Sequence, residues 1–505
     1  MIYRELYNPL NGRLTTMNTH VRCSYEDAKP QEVCPYWSST ENNANNAWNC
    51  RFSDGNLNNN NNNKNNGYTV RPVAYSGFQF SFSHLPRGFE IDTKFIPFFH
   101  SVVDAFRNCM KGKMTSPQAI EYLQIMEYDL PLLAYELWSG SYKPSTATAF
   151  VVKYPKYREV FAAAFRDRIV HHWIALRLNP LFELRFISQG DVSFNCRKGY
   201  GTDKCVTQCE EGLRRISDSY HNDAYLFRGD LEGFFMSIDK NILWRLLEKF
   251  ILRWRKRSES IGFGGLVMPE MYWDILMRAT GVTVMHHPEQ DCYINSPKEL
   301  WRNLAPNKSL FCCPNDKGEP IGNLTTQLFA NFLMSYFDAY AQYLFRGKTY
   351  IYYRFVDDFV VACTDKDFLL AMIPKMEGFL RDKLKLTLHK DKRYIQPVSH
   401  GLLLVGTFIK PGRTYLSNRT LARFAERCNG FKSLLEREEV NILDLQRIEC
   451  VINSYMGFCK SRRTYGRRKQ FINSMGGAFW KYFTVGGHYQ NIKIKRKHRY
   501  KTIAL

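Results

Sequence analysis

No apolar run in the chain approaches the roughly 18–20 residues that a membrane-spanning helix needs. The opening stretch, MIYRELYNPLNGR, also lacks the apolar core of a secretory signal. The expectation is a cytoplasmic protein with no membrane partner. The 14 cysteines are scattered, and neither Cys205 with Cys209 nor the adjacent Cys312 and Cys313 has a second pair at zinc-finger spacing. Buried reduced thiols are therefore expected, in place of a disulfide framework or a structural zinc. No internal repeat is visible. Acidic side chains are missing from residues 456–505, which carry 13 Lys or Arg. A stretch so one-sided suits contact with a polyanion.

The rest of the composition is that of a large folded protein. With 505 residues, 45% of them hydrophobic and 15% aromatic, the chain can bury sizeable cores and form two to four domains or one multi-lobed body. The formal net charge of +22 points to nucleic acid. The basic segments KSRRTYGRRKQ and KIKRKHRYK have interleaved tyrosines, as expected of a surface that grips phosphates in a salt-sensitive manner. The last of them reads as a flexible tail or a docking site. Near the start, 14 of residues 41–66 are asparagine, including the run NLNNNNNNKNN. Asparagine favours turns and caps and adds little to a core, so residues 1–75 read as a disordered, Asn-rich leader.

From about residue 76 the patterns are those of folded elements. Helices are expected over TKFIPFFHSVVDAFRNCMKG and SPQAIEYLQIMEYDLPLLAYELWSG, then a strand in TATAFVVKYP, then one or two helices in REVFAAAFRDRIVHHWIALRL. AYLFRGD reads as an apolar strand ending at Asp230. A helix from about Lys240 gives way to a polar, aperiodic segment at about 257–316. The apolar helix NLTTQLFANFLMSYFDAYAQYLF follows, and TYIYYRFVDDFVVACT reads as two strands folded about an acidic tip. A helix to about Leu388, the strand pair GLLLVGTFIK and RTYLS, and three basic helices complete the chain. Strands and helices mix without regular alternation, so the class is α+β.

Asp357 and Asp358 are the chemically unusual residues. Within a strand, adjacent side chains point to opposite faces, but at a hairpin tip both can serve one site. Taken alone, the pair also fits an ordinary Asp-rich turn. Asp230, ending a separate apolar strand, supplies a third carboxylate. Three carboxylates that hold two Mg²⁺ ions, with Mn²⁺ as a substitute, suit phosphoryl transfer to a 3′-hydroxyl with pyrophosphate as leaving group. Five residues beyond Asp230, Phe235 is either a core residue or a ring beneath the incoming sugar that excludes a 2′-hydroxyl.

At these residues the chain resembles the reverse transcriptases, over about residues 95–483. DLEGFFMSID is similar to their first catalytic palm motif and RFVDD to their YxDD motif, with Phe355 where tyrosine is usual. The resemblance implies a right-hand polymerase: N-terminal helices and fingers over 76–225, a palm with an antiparallel sheet over 226–418, and a basic helical thumb and tail over 419–505. It further implies that Lys392, in LTLHKDK, protonates the departing pyrophosphate, that Lys156 and Arg158 bind the triphosphate, and that HGLLLVGTFI forms the primer grip.

The segment GEPIGNLTTQLFANFLM narrows the resemblance to the reverse transcriptases of diversity-generating retroelements. It implies a pocket for template base and nascent pair at Ile321, Gly322 and Asn323, with Gln327 against the incoming dNTP. Such enzymes copy a template-repeat RNA into cDNA with errors at adenines, often with a small basic helical accessory protein. Residues 36–73 resemble a translated template repeat, since Asn codons begin with two adenines and their randomisation never gives a stop. The alternatives are a group II intron-like or defence-associated reverse transcriptase, or a non-catalytic RNA-binding protein on a polymerase fold.

Overall fold

The computed structural model describes residues 80–153, 156–260, 268–460 and 462–499, together with the backbone of three strands before them. Those strands, β1 (Tyr36–Glu41), β2 (Asn46–Cys50) and β3 (Leu57–Asn63), form an antiparallel sheet in the order β1-β2-β3. The rest of the segment expected to be a disordered leader lies outside the described residues. The chain divides into two units, residues 1–90 with 121–135, and residues 91–120 with 136–505. In the first, the Tyr122 hydroxyl donates to Asp129 across two helical turns, and the Phe89 ring meets Tyr135 edge-on.

The larger unit is mixed α+β. Its N-terminal layer is built from α1 (Phe95–Met110), the later part of α2 (Pro117–Ser139) and α3 (Phe165–Ser188). Two short strands, β4 (Ala147–Val152) and β5 (Arg158–Ala162), pair antiparallel between α2 and α3. The sequence reading placed REVFA at the start of a helix, and the structure corrects this. Phe161 and Val160 alternate inward and outward against β4, and the helix begins only at Phe165. The alanines that follow REVFA are strong helix formers and masked the boundary.

The central sheet has the order β10-β6-β9-β8, all antiparallel. After α4 (Thr202–Ile216) come β6 (Tyr225–Asp230) and the short helix α5 (Phe234–Ser237). Then follow α6 (Lys240–Ser260), α7 (Glu270–Met285), the three-residue strand β7 (Cys292–Ile294) and α8 (Leu324–Leu344). The helix α7 and the strand β7, which pairs parallel with β4, both fall in the stretch expected to be aperiodic. Gly281 packs against Trp244 of α6, where its missing side chain makes room for the indole. That small residue and the threonines of α7 weakened the helical signal.

Strands β8 (Tyr350–Phe355) and β9 (Asp358–Cys363) make the expected hairpin. Helix α9 (Lys366–Leu384) stops four residues short of the expected end because Lys385 turns left-handed, at φ +57°. β10 (Tyr394–Pro397) then adds to the sheet edge. One face of the sheet is closed by α4, whose Cys205, Cys209 and Leu213 bury against Leu226, Ile351, Val360 and Ala362. On the other face, Phe337 of α8 meets Phe359 edge-on at 4.9 Å.

Downstream, β11 (Leu402–Leu404), β12 (Thr407–Lys410) and β13 (Arg413–Leu416) form a three-stranded sheet where two strands were expected. The Val405–Gly406 turn, with φ +41° and +78°, splits the first run in two. The C-terminal layer holds α10 (Asn418–Leu435), α11 (Ile442–Lys460), α12 (Tyr465–Ser474) and α13 (Gly476–Tyr482). It also contains an unexpected hairpin, β14 (Phe483–Gly486) with β15 (Asn491–Ile494). Ile492 and Ile494 are buried with Phe424, Ile448, Ile452 and Phe479. The basic segment read as a flexible tail is thus folded core as far as Ile494. Among the described residues no helix is long and apolar enough to cross a membrane, and Cys109, Cys205, Cys209, Cys363, Cys428 and Cys459 are buried free thiols.

Candidate active site

Register brings the three acids to one end of the central sheet. Asp230, the last residue of β6, lies directly opposite Asp358, the first of β9, and Asp357 occupies the turn between β8 and β9. Directly paired residues of neighbouring strands share a face, so Asp230 and Asp358 point the same way. Gly229, the residue before Asp230, faces Phe359, and a Cβ there would stand 2.5 Å from the ring. Only glycine lets the strands close at this point.

The turn itself is strained and anchored. Val356, a β-branched residue, has φ +59°, a conformation that costs free energy and persists only where surroundings impose it. Its N–H donates to Asn195 Oδ1 at 2.9 Å and its carbonyl accepts from Arg354 Nη1 at 2.9 Å. Arg354, with a fully buried side chain, forks onto Asp338 (Nε···Oδ1 2.6 Å, Nη2···Oδ2 2.7 Å) and donates to Asn331 Oδ1 at 2.8 Å. Tyr352 donates to the same Asp338 at 2.8 Å. Arg354 stands inside the RFVDD segment, yet its partners lie on a helix and were not legible from spacing.

Charge at the site is unevenly compensated. Arg228, two residues before Asp230 on β6, donates to both oxygens of Asp358 (Nε···Oδ1 2.8 Å, Nη2···Oδ2 2.6 Å). Lys392 donates to Asp230 Oδ1 at 3.0 Å. Asp357 takes no hydrogen bond from another residue's side chain among the described residues. Burial first, and then the neighbouring Asp230 and Asp358, push the Asp357 carboxyl up to about 6. The sequence reading missed Arg228; its signal was the Arg-Gly-Asp spacing, which places Arg228 and Asp230 on one face of a strand.

These residues open on a cleft of about 1790 Å³. Ten of the eleven site residues named from the sequence line it: Asp230, Asp357, Asp358, Lys392, Lys156, Arg158, Phe235, Ile321, Gly322 and Gln327. Asn323 does not; it is buried at the residue position that precedes the first turn of α8, with no capping hydrogen bond from its side chain. Gly322 has φ +132°, and a Cβ would stand 2.7 Å from the Phe161 carbonyl oxygen. The Phe161 N–H donates to the Ile321 carbonyl at 2.8 Å, fastening this segment to β5. Phe235 is half-buried, packed with Ile321 against Ala149, Phe161, Met236 and Leu310. Cys196 Sγ lies 3.4 Å from Gln327 Oε1.

Cations gather in the same cleft. The Lys156 ammonium is pushed down, chiefly by burial and then by Arg419, Lys392, Lys308 and Arg158. Like charges held together in this way await an anion. Lys308 and Arg419 were not named from the sequence, since each lies far from Lys156 along the chain. Among the described residues no three His, Cys, Asp or Glu side chains are arranged as a metal cage. The carboxyl oxygens nonetheless suit a hard divalent cation, and the repulsion from Asp230 and Asp358 that adds to burial in raising Asp357 is what such a cation would relieve.

No protein-family model matches the chain. Among solved structures it is similar to apo telomerase from Candida tropicalis truncated from the C-terminal domain (12% identity, TM-score 0.38, covering 54% of this chain and 55% of that one). It is likewise similar to apo telomerase from Candida tropicalis (12%, 0.38, 67% and 62%) and to telomerase from Candida albicans in complex with a TWJ fragment of telomeric RNA (10%, 0.34, 68% and 60%). The chain thus spans less than two-thirds of the length of each of these solved chains.

Proposed function

We propose that the protein is a divalent-metal-dependent RNA-directed DNA polymerase. The observation that carries this reading is the meeting of Asp230, Asp357 and Asp358 at one sheet end, in the cleft that Lys156, Arg158, Lys308 and Arg419 also line. Asp230 and Asp357 would hold Mg²⁺ or Mn²⁺, with Asp358 the third acid beside them. When bound, the metal activates a primer 3′-hydroxyl and neutralises charge on the leaving pyrophosphate.

The chain's own residues do the rest. Lys156 and Arg158 bind the triphosphate as point charge and fork. Lys392, held near the acids by Asp230, stands ready to give a proton to the leaving group. Phe235 blocks the space a 2′-hydroxyl would need, which favours dNTPs. Ile321 and Gly322 form a floor against the nascent pair, and Gln327 offers donors and an acceptor at the rim. The basic C-terminal layer grips template RNA and cDNA through phosphates. Asp357→Asn is expected to abolish dNTP incorporation on a primed RNA template while leaving RNA binding nearly unchanged. Appreciable residual synthesis would overturn the assignment.

Within this activity, the reading favoured is copying of a template-repeat RNA into adenine-mutagenised cDNA for mutagenic retrohoming. It is supported by the Asn-rich residues 36–73, which resemble a translated template repeat, and by Ile321 and Gln327 in the segment beside the pair. A small basic helical accessory protein belongs to the same reading. Sequenced cDNA should show errors concentrated opposite adenine, and substitutions of Ile321 or Gln327 should change that error more than errors opposite other bases. Equal effects at all four bases would remove the argument from the pocket.

A further inference from the structure

The three acids are not equivalent, and their partners separate them. Both oxygens of Asp358 are taken by the Arg228 fork, in a pair whose side chains are only 15% and 12% exposed. Arg228 and Asp230 are two apart on β6, and Asp230 faces Asp358 across the ladder, so the ion pair lies on the same face as Asp230. For Asp358 to ligate a dication it would have to leave two short charge-assisted bonds. It would also strand a largely enclosed guanidinium beside the incoming positive charge. Asp230 is differently placed. Its contact is one bond to Lys392, whose side chain is 47% exposed and free to swing into water. Among the described residues no cation is bonded to the Asp357 side chain.

We propose that Asp358 is the fixed counter-ion of Arg228 and not a metal ligand, so that Asp230 and Asp357 alone hold the divalent cation. The inference rests on the polymerase reading above. Arg228 is then a positioning residue: by tying β9 to β6 one step below the acids, it fixes the separation of Asp230 from the Asp357 turn. A doubly bonded pair across neighbouring strands resists the sliding that would otherwise let the two acids drift apart.

The test is a Mn²⁺ titration of the full chain without nucleic acid, read by electron paramagnetic resonance of the free ion, together with thermal unfolding in EDTA. Asp230→Asn and Asp357→Asn should each weaken Mn²⁺ binding by roughly tenfold or more, and Asp358→Asn by less than about threefold. Arg228→Met should lower the unfolding temperature in EDTA, and Arg228→Met/Asp358→Asn should regain at least half of the loss. This double variant replaces Asp358→Asn in the titration if the single one does not fold. A loss of Mn²⁺ binding in Asp358→Asn as large as that in Asp357→Asn would overturn the counter-ion role and leave the metal site standing. No loss in Asp230→Asn or Asp357→Asn would instead overturn the polymerase reading itself. Failure of the double variant to regain stability also overturns the counter-ion role.

Discussion

Replacing Arg354 with methionine removes the anchor of the acidic turn and offers a test of how that turn is held. The side chain is fully buried, as is its partner Asp338 at 2% exposure. Five hydrogen bonds disappear together: two to Asp338, two to Asn331 (Oδ1 and the carbonyl oxygen) and one to the Val356 carbonyl. Among the described residues the Asp338 carboxylate is then left with the Tyr352 hydroxyl. Breaking a buried pair from one side costs about 3–5 kcal/mol, because the remaining charge stays in a poor solvent. Urea denaturation followed by circular dichroism should show that loss as a lower midpoint with an unchanged slope. Arg354→Met/Asp338→Leu should recover part of it, less the roughly 1–3 kcal/mol of an orphaned Tyr352 hydroxyl. Because Arg354 also holds strained Val356, the rate of nucleotide addition should fall more than the Michaelis constant rises. A stability loss under about 1 kcal/mol with normal turnover would refute the idea that this network holds the turn.

Phe235→Ala should raise ribonucleotide use relative to deoxynucleotide use by about an order of magnitude or more, measured as a ratio of single-nucleotide incorporation efficiencies. Ile492→Ala should cost about 2–5 kcal/mol in urea melts, since the residue is 1% exposed within the C-terminal core; a neutral result would return this segment to the status of a tail. Asp167 is pushed up to about 6, chiefly by burial and against its bonds from Tyr142 and Ser145. Its folded value lies above its unfolded one. The protonated form therefore contributes stability that is full below about pH 4 and lost as pH rises through 6. Asp167→Asn should flatten this part of the stability–pH curve, which melting temperatures at stepped pH would reveal.

The elements that place the acids were legible because their signals are local. Apolar β-formers flank Asp357 and Asp358, and the strand AYLF leads to Asp230, so β6, β8 and β9 follow from short apolar runs of β-formers. What escaped notice depends on pairing across the chain. Arg228 meets Asp358 only once the β6–β9 register is set, and Asn195 reaches the Val356 N–H from 161 residues away. The strand β5 was hidden by the alanines after it, and α7 by threonines and a glycine. The C-terminal hairpin did carry a signal: in NIKIK the apolar residues alternate with lysines at the period of a strand, but the density of positive charge suggested solvent.

The hydrogen bond from the Phe161 N–H to the Ile321 carbonyl, with Gly322 pressed against the Phe161 oxygen, welds the Ile321–Gly322 segment to the strand whose first residue is Arg158. On the function proposed above, grip on the triphosphate and tolerance of a mispair are then mechanically shared, and neither can be tuned in isolation. A variant selected for greater accuracy at Ile321 would inherit an altered affinity for every nucleotide, correct or not.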